Sequence, residues 1–152
     1  MIVNENIRNI EDITIPQAKH TFTFAPIYIN ELNLIDGATY TISLNCDSIG
    51  DKQEKFLFNL YDVGTIKKLE LFGVFGKRNH MTFKYEEGKT FKINLYTGVG
   101  GLEKNSGAKF YNFKLEEGDK DTPYIPNENS IETAKRQYFI GGGYFKEVYP
   151  IS

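Results

Sequence analysis

The dominant period along the chain is two. In Ala38–Asn45, Tyr40, Ile42 and Leu44 fall on one side while Thr39, Thr41, Ser43 and Asn45 fall on the other, the pattern of a half-buried strand. The same alternation runs through Lys55–Val63 (Phe56, Phe58, Leu60), His80–Glu86 (Met81, Phe83, Tyr85), Lys89–Thr97 (Phe91, Ile93, Leu95) and Lys109–Glu116, where Tyr111, Phe113 and Leu115 share a face. Thr21–Phe24 and Ile27–Leu34 read as two further strands interrupted at Pro26, and Lys68–Phe75 as another, bent at Gly73. Turn signals separate the runs at Asp36-Gly37, Gly50-Asp51, Gly64 and Gly76. The short Glu86-Glu87-Gly88-Lys89 loop predicts a hairpin between the strands on either side of it. Seven or eight strands punctuated about every 10 residues predict an all-β chain, a jelly-roll-like antiparallel β-sandwich. Each strand needs its apolar face covered, and two packed sheets do that economically.

After Pro126 the pattern changes. Ser130–Tyr138 fits a short helix, with Ser130 as N-cap and Glu132 and Arg136 four apart on one face. Tyr138-Phe139-Ile140 and Tyr144–Tyr149 then read as two short strands joined by Gly141-Gly142-Gly143. The expected organisation is therefore a sandwich over residues 1–126 and a C-terminal arm over 127–152, too short for a core of its own. Tyr138, Phe139, Tyr144, Phe145 and Tyr149 suit docking of that arm onto a partner or a sister subunit by strand addition.

Composition narrows the functional classes. The 152 residues carry 18 Lys plus Arg against 20 Asp plus Glu, a net charge of −2, which excludes the electrostatic footprint of a nucleic-acid binder and supplies no polybasic membrane patch. No apolar run approaches the roughly 20 residues of a membrane-spanning helix. Cys46 is the single cysteine, so folding requires no internal disulfide. Met1–Asn6 lacks the basic start and apolar stretch of a signal peptide. The aromatic content stands out: 12 Phe and 10 Tyr, with no Trp.

Catalytic chemistry finds little support. His20 and His80 sit at strand ends with no metal-ligand spacing, Cys46 ends a strand, and neither a G-x-S-x-G elbow nor an H-E-x-x-H pair is present. Gly98-Val99-Gly100-Gly101 follows a strand but has Glu103 where a dinucleotide fingerprint needs glycine. The acidic residues cluster in turns, Glu70 excepted, which argues against paired carboxylates in a groove. Sandwich loops bind structural calcium, making Glu117, Asp119 and Asp121 the candidate ligands; a solvated turn is the simpler reading, and no other cofactor is expected. Aromatics off the alternating core positions or in loops, namely Tyr61, Phe75, Tyr96, Phe110 and Tyr124, are candidates for stacking on sugar rings, with tyrosine's fitness for outer strand faces as the plainer alternative.

Tyr111–Pro126 (YNFKLEEGDKDTPYIP) resembles the closing strand of carbohydrate-binding-module-like domains in tail and baseplate proteins of bacteriophages of Gram-positive bacteria: a hydrophobic strand, Leu-Glu-x-Gly, then Thr-Pro-Trp/Tyr-x-Pro. Gly37–Ser43 is similar to the Gly-x-Thr-Tyr-Thr-x-Ser strand of the same modules, and Gly88–Tyr96 is similar in kind. The resemblance spans about residues 20–126. It implies a jelly-roll sandwich in a virion, assembled in the host cytoplasm and displayed outside the cell. Its partners would be other virion proteins, further copies of itself and host surface polysaccharide, with no nucleic acid and no membrane. The function this implies is non-enzymatic attachment to cell-wall glycans through exposed aromatics. The alternatives are an adaptor or decoration protein that binds no sugar and, behind it, a glycan-degrading enzyme. Related modules usually sit inside longer proteins and often carry Trp; the departures point to a small component held through its termini.

Overall fold

A computed structural model of the chain describes residues 3–8, 10–20, 23–29, 34–62, 66–99 and 103–126. Within them the protein is all-β: β1 (Ile13–His20), β2 (Phe24–Ile29), β3 (Thr39–Gly50), β4 (Lys55–Asp62), β5 (Ile66–Val74), β6 (Arg78–Lys84), β7 (Phe91–Tyr96) and β8 (Glu103–Glu117). They form two four-stranded antiparallel sheets in the orders β1-β8-β3-β6 and β2-β7-β4-β5. Strand 1 pairs with 8, 2 with 7, 3 with 6 and 4 with 5, so the chain is one long hairpin rolled up, a jelly roll. The inward residues of both sheets, among them Ile27, Ile42, Leu44, Phe56, Phe58, Met81, Ile93, Leu95 and Leu115, make one continuous core. The arm at 127–152, with its expected helix, strands and docking residues, lies outside the described residues.

Rolling the hairpin overturns one sequence expectation. The strands flanking Glu86–Lys89 do not pair with each other: β6 belongs to one sheet and β7 to the other, and the turn carries the chain across the core. Its local hydrogen bond, from Lys89 N to Glu86 O, is that of a tight turn whether or not the flanks pair. Among the paired strands, β4 and β5 alone are consecutive in sequence. The two strands expected around Pro26 are a single β2 running through it. Proline is tolerated there because β2 is a sheet edge, where a missing N–H breaks no ladder bond. β1, absent from the sequence reading, is the other irregular edge: Pro16 and register shifts between Ile15 and His20 blur its alternation.

Gly73, expected to bend β5, performs another task. It lies opposite Phe56, whose ring covers it so closely that a Cβ would sit 2.2 Å from the ring.

β8 changes face halfway. Between the pairs Ser43–Lys114 and Asn45–Tyr111 it carries one extra residue, and Asn112 takes the left-handed conformation (φ 52°). Before this bulge the even positions Ala108 and Phe110 point into the core; after it the odd positions Phe113 and Leu115 do. Tyr111, expected inside, stands on the outer face, donating its hydroxyl to Asp47 Oδ2 at 3.0 Å. That bond pushes the Tyr111 phenol up from its ordinary value.

The two flanking segments cover the part of the outer face of the β1-β8-β3-β6 sheet around Ser43, Lys114 and Glu116. Ile7 N donates to Leu115 O, and Asn6, 2% exposed, donates to Phe113 O and Ile125 O while accepting from Leu115 N. Thr122 is fastened over Lys114 and Glu116, both fully buried: its N–H and hydroxyl donate to the Glu116 carboxylate, and its Oγ1 accepts from Lys114 Nζ and Asn4 N. Lys114 also donates to Pro123 O at 2.7 Å. Burial pushes the Lys114 ammonium below the ordinary lysine value, with Glu116, 3.7 Å away, pulling the other way. Gly118 (φ 107°) turns the chain off β8 to make this return. The Leu-Glu-x-Gly and Thr-Pro-Tyr-x-Pro elements are therefore two halves of one clasp.

Candidate functional site

On the outer face of β2-β7-β4-β5, outward side chains gather from all four strands. Along β4 the core takes Phe56, Phe58 and Leu60, leaving Leu57, Asn59 and Tyr61 outward. Along β7 the core takes Phe91, Ile93 and Leu95, leaving Lys92, Asn94 and Tyr96. On β2, Ile27 and Ile29 point in while Phe24 and Tyr28 point out, 44% and 46% exposed. On β5, Glu70 and Phe72 point out, Phe72 at 60%.

Register brings these residues into rows. Asn59 lies opposite Asn94, with Pro26 and Glu70 beyond them; Tyr61 lies opposite Lys92, with Tyr28 beyond; Tyr96 lies opposite Phe24. Directly paired residues point the same way, with Cβ atoms about 4.5–5.5 Å apart, so the two amides are immediate neighbours. Phe58-Asn59-Leu60-Tyr61 and Ile93-Asn94-Leu95-Tyr96 are near-copies on antiparallel strands. The central amide pair is consequently flanked by a tyrosine at each end, on a diagonal spanning four residues, or about 13 Å along the strands.

The amides are the unusual feature. Asn59 is 3% and Asn94 4% exposed, and the Oδ1 of each has no hydrogen-bond partner among the described residues. A buried, unsatisfied carbonyl costs about 1–3 kcal/mol. Around the pair the surface is aromatic and cationic. The Phe24 and Tyr96 rings lie 5.2 Å apart, and the Lys92 ammonium sits 5.6 Å from the Phe24 ring and 6.0 Å from the Tyr61 ring. Glu70 is engaged by Lys67 Nζ at 2.7 Å, which raises the Lys67 value above that of an ordinary lysine.

Of the five aromatic candidates, Tyr61 and Tyr96 meet on this face, both half-buried. Phe110 does not: it is 0% exposed, turned inward by its position before the Asn112 bulge. Phe75 is half-buried against the core, its ring 4.8 Å from Phe56 and 6.3 Å from Phe110. Its outer edge lines a groove of about 740 Å³ with Asp47, Lys52, Glu54 and Lys55. Tyr124 stands on the opposite face of the sandwich, 38% exposed, under the Arg78 guanidinium at 5.5 Å. The candidate calcium ligands do not converge: Asp121 pairs with Arg78 at 3.6 Å, Asp119 is solvent-exposed, and no group of three metal-ligating side chains forms among the described residues. Asn59, Asn94, Lys92, Phe24, Tyr28 and Phe72 were not among the sequence candidates. The repeated Asn-Leu-Tyr on two alternating strands was the signal that could have found the amides.

No protein-family model matches the chain, and no curated protein matches it. Among solved structures the fold is similar to a carbohydrate-binding module described as CBM4, at 17% identity over 70% of each chain with a TM-score of 0.47. It is also similar to the Glycosylation Associate Protein (Gap123) complex of Streptococcus agalactiae, at 15% identity over 77% of this chain and 40% of that one, TM-score 0.40. A third likeness is to the CBM22-1–GH10 modules of Clostridium thermocellum endo-1,4-β-D-xylanase 10B, solved with xylohexaose, at 13% identity over 83% of this chain and 30% of that one, TM-score 0.39.

Proposed function

We propose that the chain is a non-catalytic glycan-binding module whose binding surface is the outer face of β2-β7-β4-β5. The observation that carries this reading is the pair of buried Asn59 and Asn94 carbonyls, without a partner among the described residues and set between aromatic rings. A sugar presents what that surface lacks: hydroxyl donors for two carbonyl acceptors, and weakly polar C–H faces for tyrosine and phenylalanine rings. Low affinity per copy would be raised by multivalent display.

The setting we propose is a bacteriophage tail, baseplate or fibre, assembled in the host cytoplasm and exposed outside the cell. This rests on the likeness of Tyr111–Pro126 to the closing motif of phage modules. The Asn4–Lys114–Glu116–Thr122 clasp accounts physically for that motif. The test is binding of the labelled protein, clustered on beads, to a panel of Gram-positive cell-wall polysaccharides. Saturable binding weakened by Tyr61→Ala, Tyr96→Ala or Asn94→Ala supports the reading; no binding at any avidity overturns it in favour of a sugar-free adaptor role.

A further inference from the structure

We propose that the glycan taken by this face is acidic, with Lys92 holding its carboxylate or phosphate while Asn94 and Asn59 accept its hydroxyls. The inference rests on the glycan-binding reading and deepens it. Lys92 is central on the face, between Tyr28 on one neighbouring strand and Tyr61 on the other. Its contacts are with the Phe24 and Tyr61 rings, and it makes no ion pair among the described residues. The other lysines nearby behave differently. Lys67 binds Glu70 at 2.7 Å, Lys68 lies 3.7 Å from Glu86, and Lys89 lies 3.2 Å from Asp62 and 3.0 Å from Glu86. Among the described residues the contacts of Lys92 are thus aromatic rings and no carboxylate.

The outward lysines Lys55, Lys67 and Lys92 against the carboxylate of Glu70 leave a local charge of +2 on a chain whose net charge is −2. Long-range attraction is therefore not what draws an anion here; the recognition is local. The Lys92 ammonium lies over the faces of the Phe24 and Tyr61 rings, and its hydrogen bonds to an anion would be charge-assisted.

The geometry divides the ligand chemically. Lys92 and Asn94 are two residues apart on one strand, so their side chains rise about 6–7 Å apart, within reach of substituents on one sugar residue. Carbonyl oxygens repel an anion and accept hydroxyl protons, while an ammonium does the reverse. The acidic group is therefore directed to the Lys92 end and the hydroxyls to the amide pair.

The test uses the full chain on beads against polygalacturonate oligosaccharides, their methyl-esterified form, neutral xylo-oligosaccharides and a glycerol-phosphate wall polymer, with chelator present. The first and last distinguish a carboxylate from a phosphate source. The expected result is salt-sensitive binding to at least one acidic probe. For a carboxylate ligand esterification should weaken it, and in either case Lys92→Gln should lower affinity about tenfold or more, with Lys92→Arg retaining most of it. Equal binding of acidic and neutral probes, or an acidic preference that survives Lys92→Gln, overturns the inference while leaving the glycan-binding reading standing. Failure of every glycan to bind, with both proteins folded by circular dichroism, overturns both.

Discussion

Replacing Asn59 by valine tests the energetic basis of the binding face. The side chain is 3% exposed, and its Oδ1 has no hydrogen-bond partner among the described residues. Removing such a group by an apolar one of similar size relieves a desolvation cost of about 1–3 kcal/mol. Valine's preference for a strand adds up to about 1 kcal/mol, giving an expected gain of roughly 1–3 kcal/mol once small packing losses are allowed for. For a domain of this size that corresponds to a rise in Tm of roughly 3–10 °C. The same change deletes an acceptor at the centre of the face, so glycan binding should fall at least fivefold while stability rises. The assay is urea and thermal unfolding of the wild type and Asn59→Val, run beside bead binding of each. A destabilisation of 1 kcal/mol or more would mean that the carbonyl is partnered in solution, and the argument that Asn59 is held in readiness for a ligand would be refuted.

Other regions give independent expectations. At Asn112, in the left-handed conformation, Gly should be tolerated or stabilising by up to about 1 kcal/mol, whereas a β-branched Val should cost about 1–2 kcal/mol, both read from denaturant midpoints. Thr122→Val removes the hydroxyl shared by Glu116, Lys114 and Asn4 and should cost about 1–3 kcal/mol, leaving binding on the opposite face unchanged below the new melting transition. Burial raises the Cys46 thiol to about 11 from an ordinary value of 9.0, so native protein at pH 8 should resist iodoacetamide and react only after unfolding. The folded thiol keeps a proton that the unfolded one releases above about pH 9. Its contribution to stability is therefore intact below pH 9 and lost as pH rises toward 11, by at most roughly 2–3 kcal/mol. Comparing wild type with Cys46→Ala across pH 8–11 isolates it; identical slopes would contradict the assignment.

Period-two alternation is a local property, and it determined the strands β3, β4, β6 and β7 and nearly all of their core residues from sequence alone. The closing motif was legible for the same reason: Glu116 and Thr122 are close in sequence, so the bonds between them form across the single turn that Gly118 makes. Tertiary structure decided what alternation cannot encode. Which strands pair depends on how the long hairpin rolls, and that sent the chain across the core at Glu86–Lys89 instead of closing a local hairpin. An extra residue at Asn112 reverses the facing of β8, so Phe110 and Tyr111 exchanged the places their spacing suggested. Pro26 marks a break in sequence but an edge in space. The proposed binding face is a product of register: Asn59 and Asn94 are ordinary polar alternations 35 positions apart. Only the antiparallel pairing of β4 with β7 turns them into two neighbouring acceptors with a tyrosine at each end.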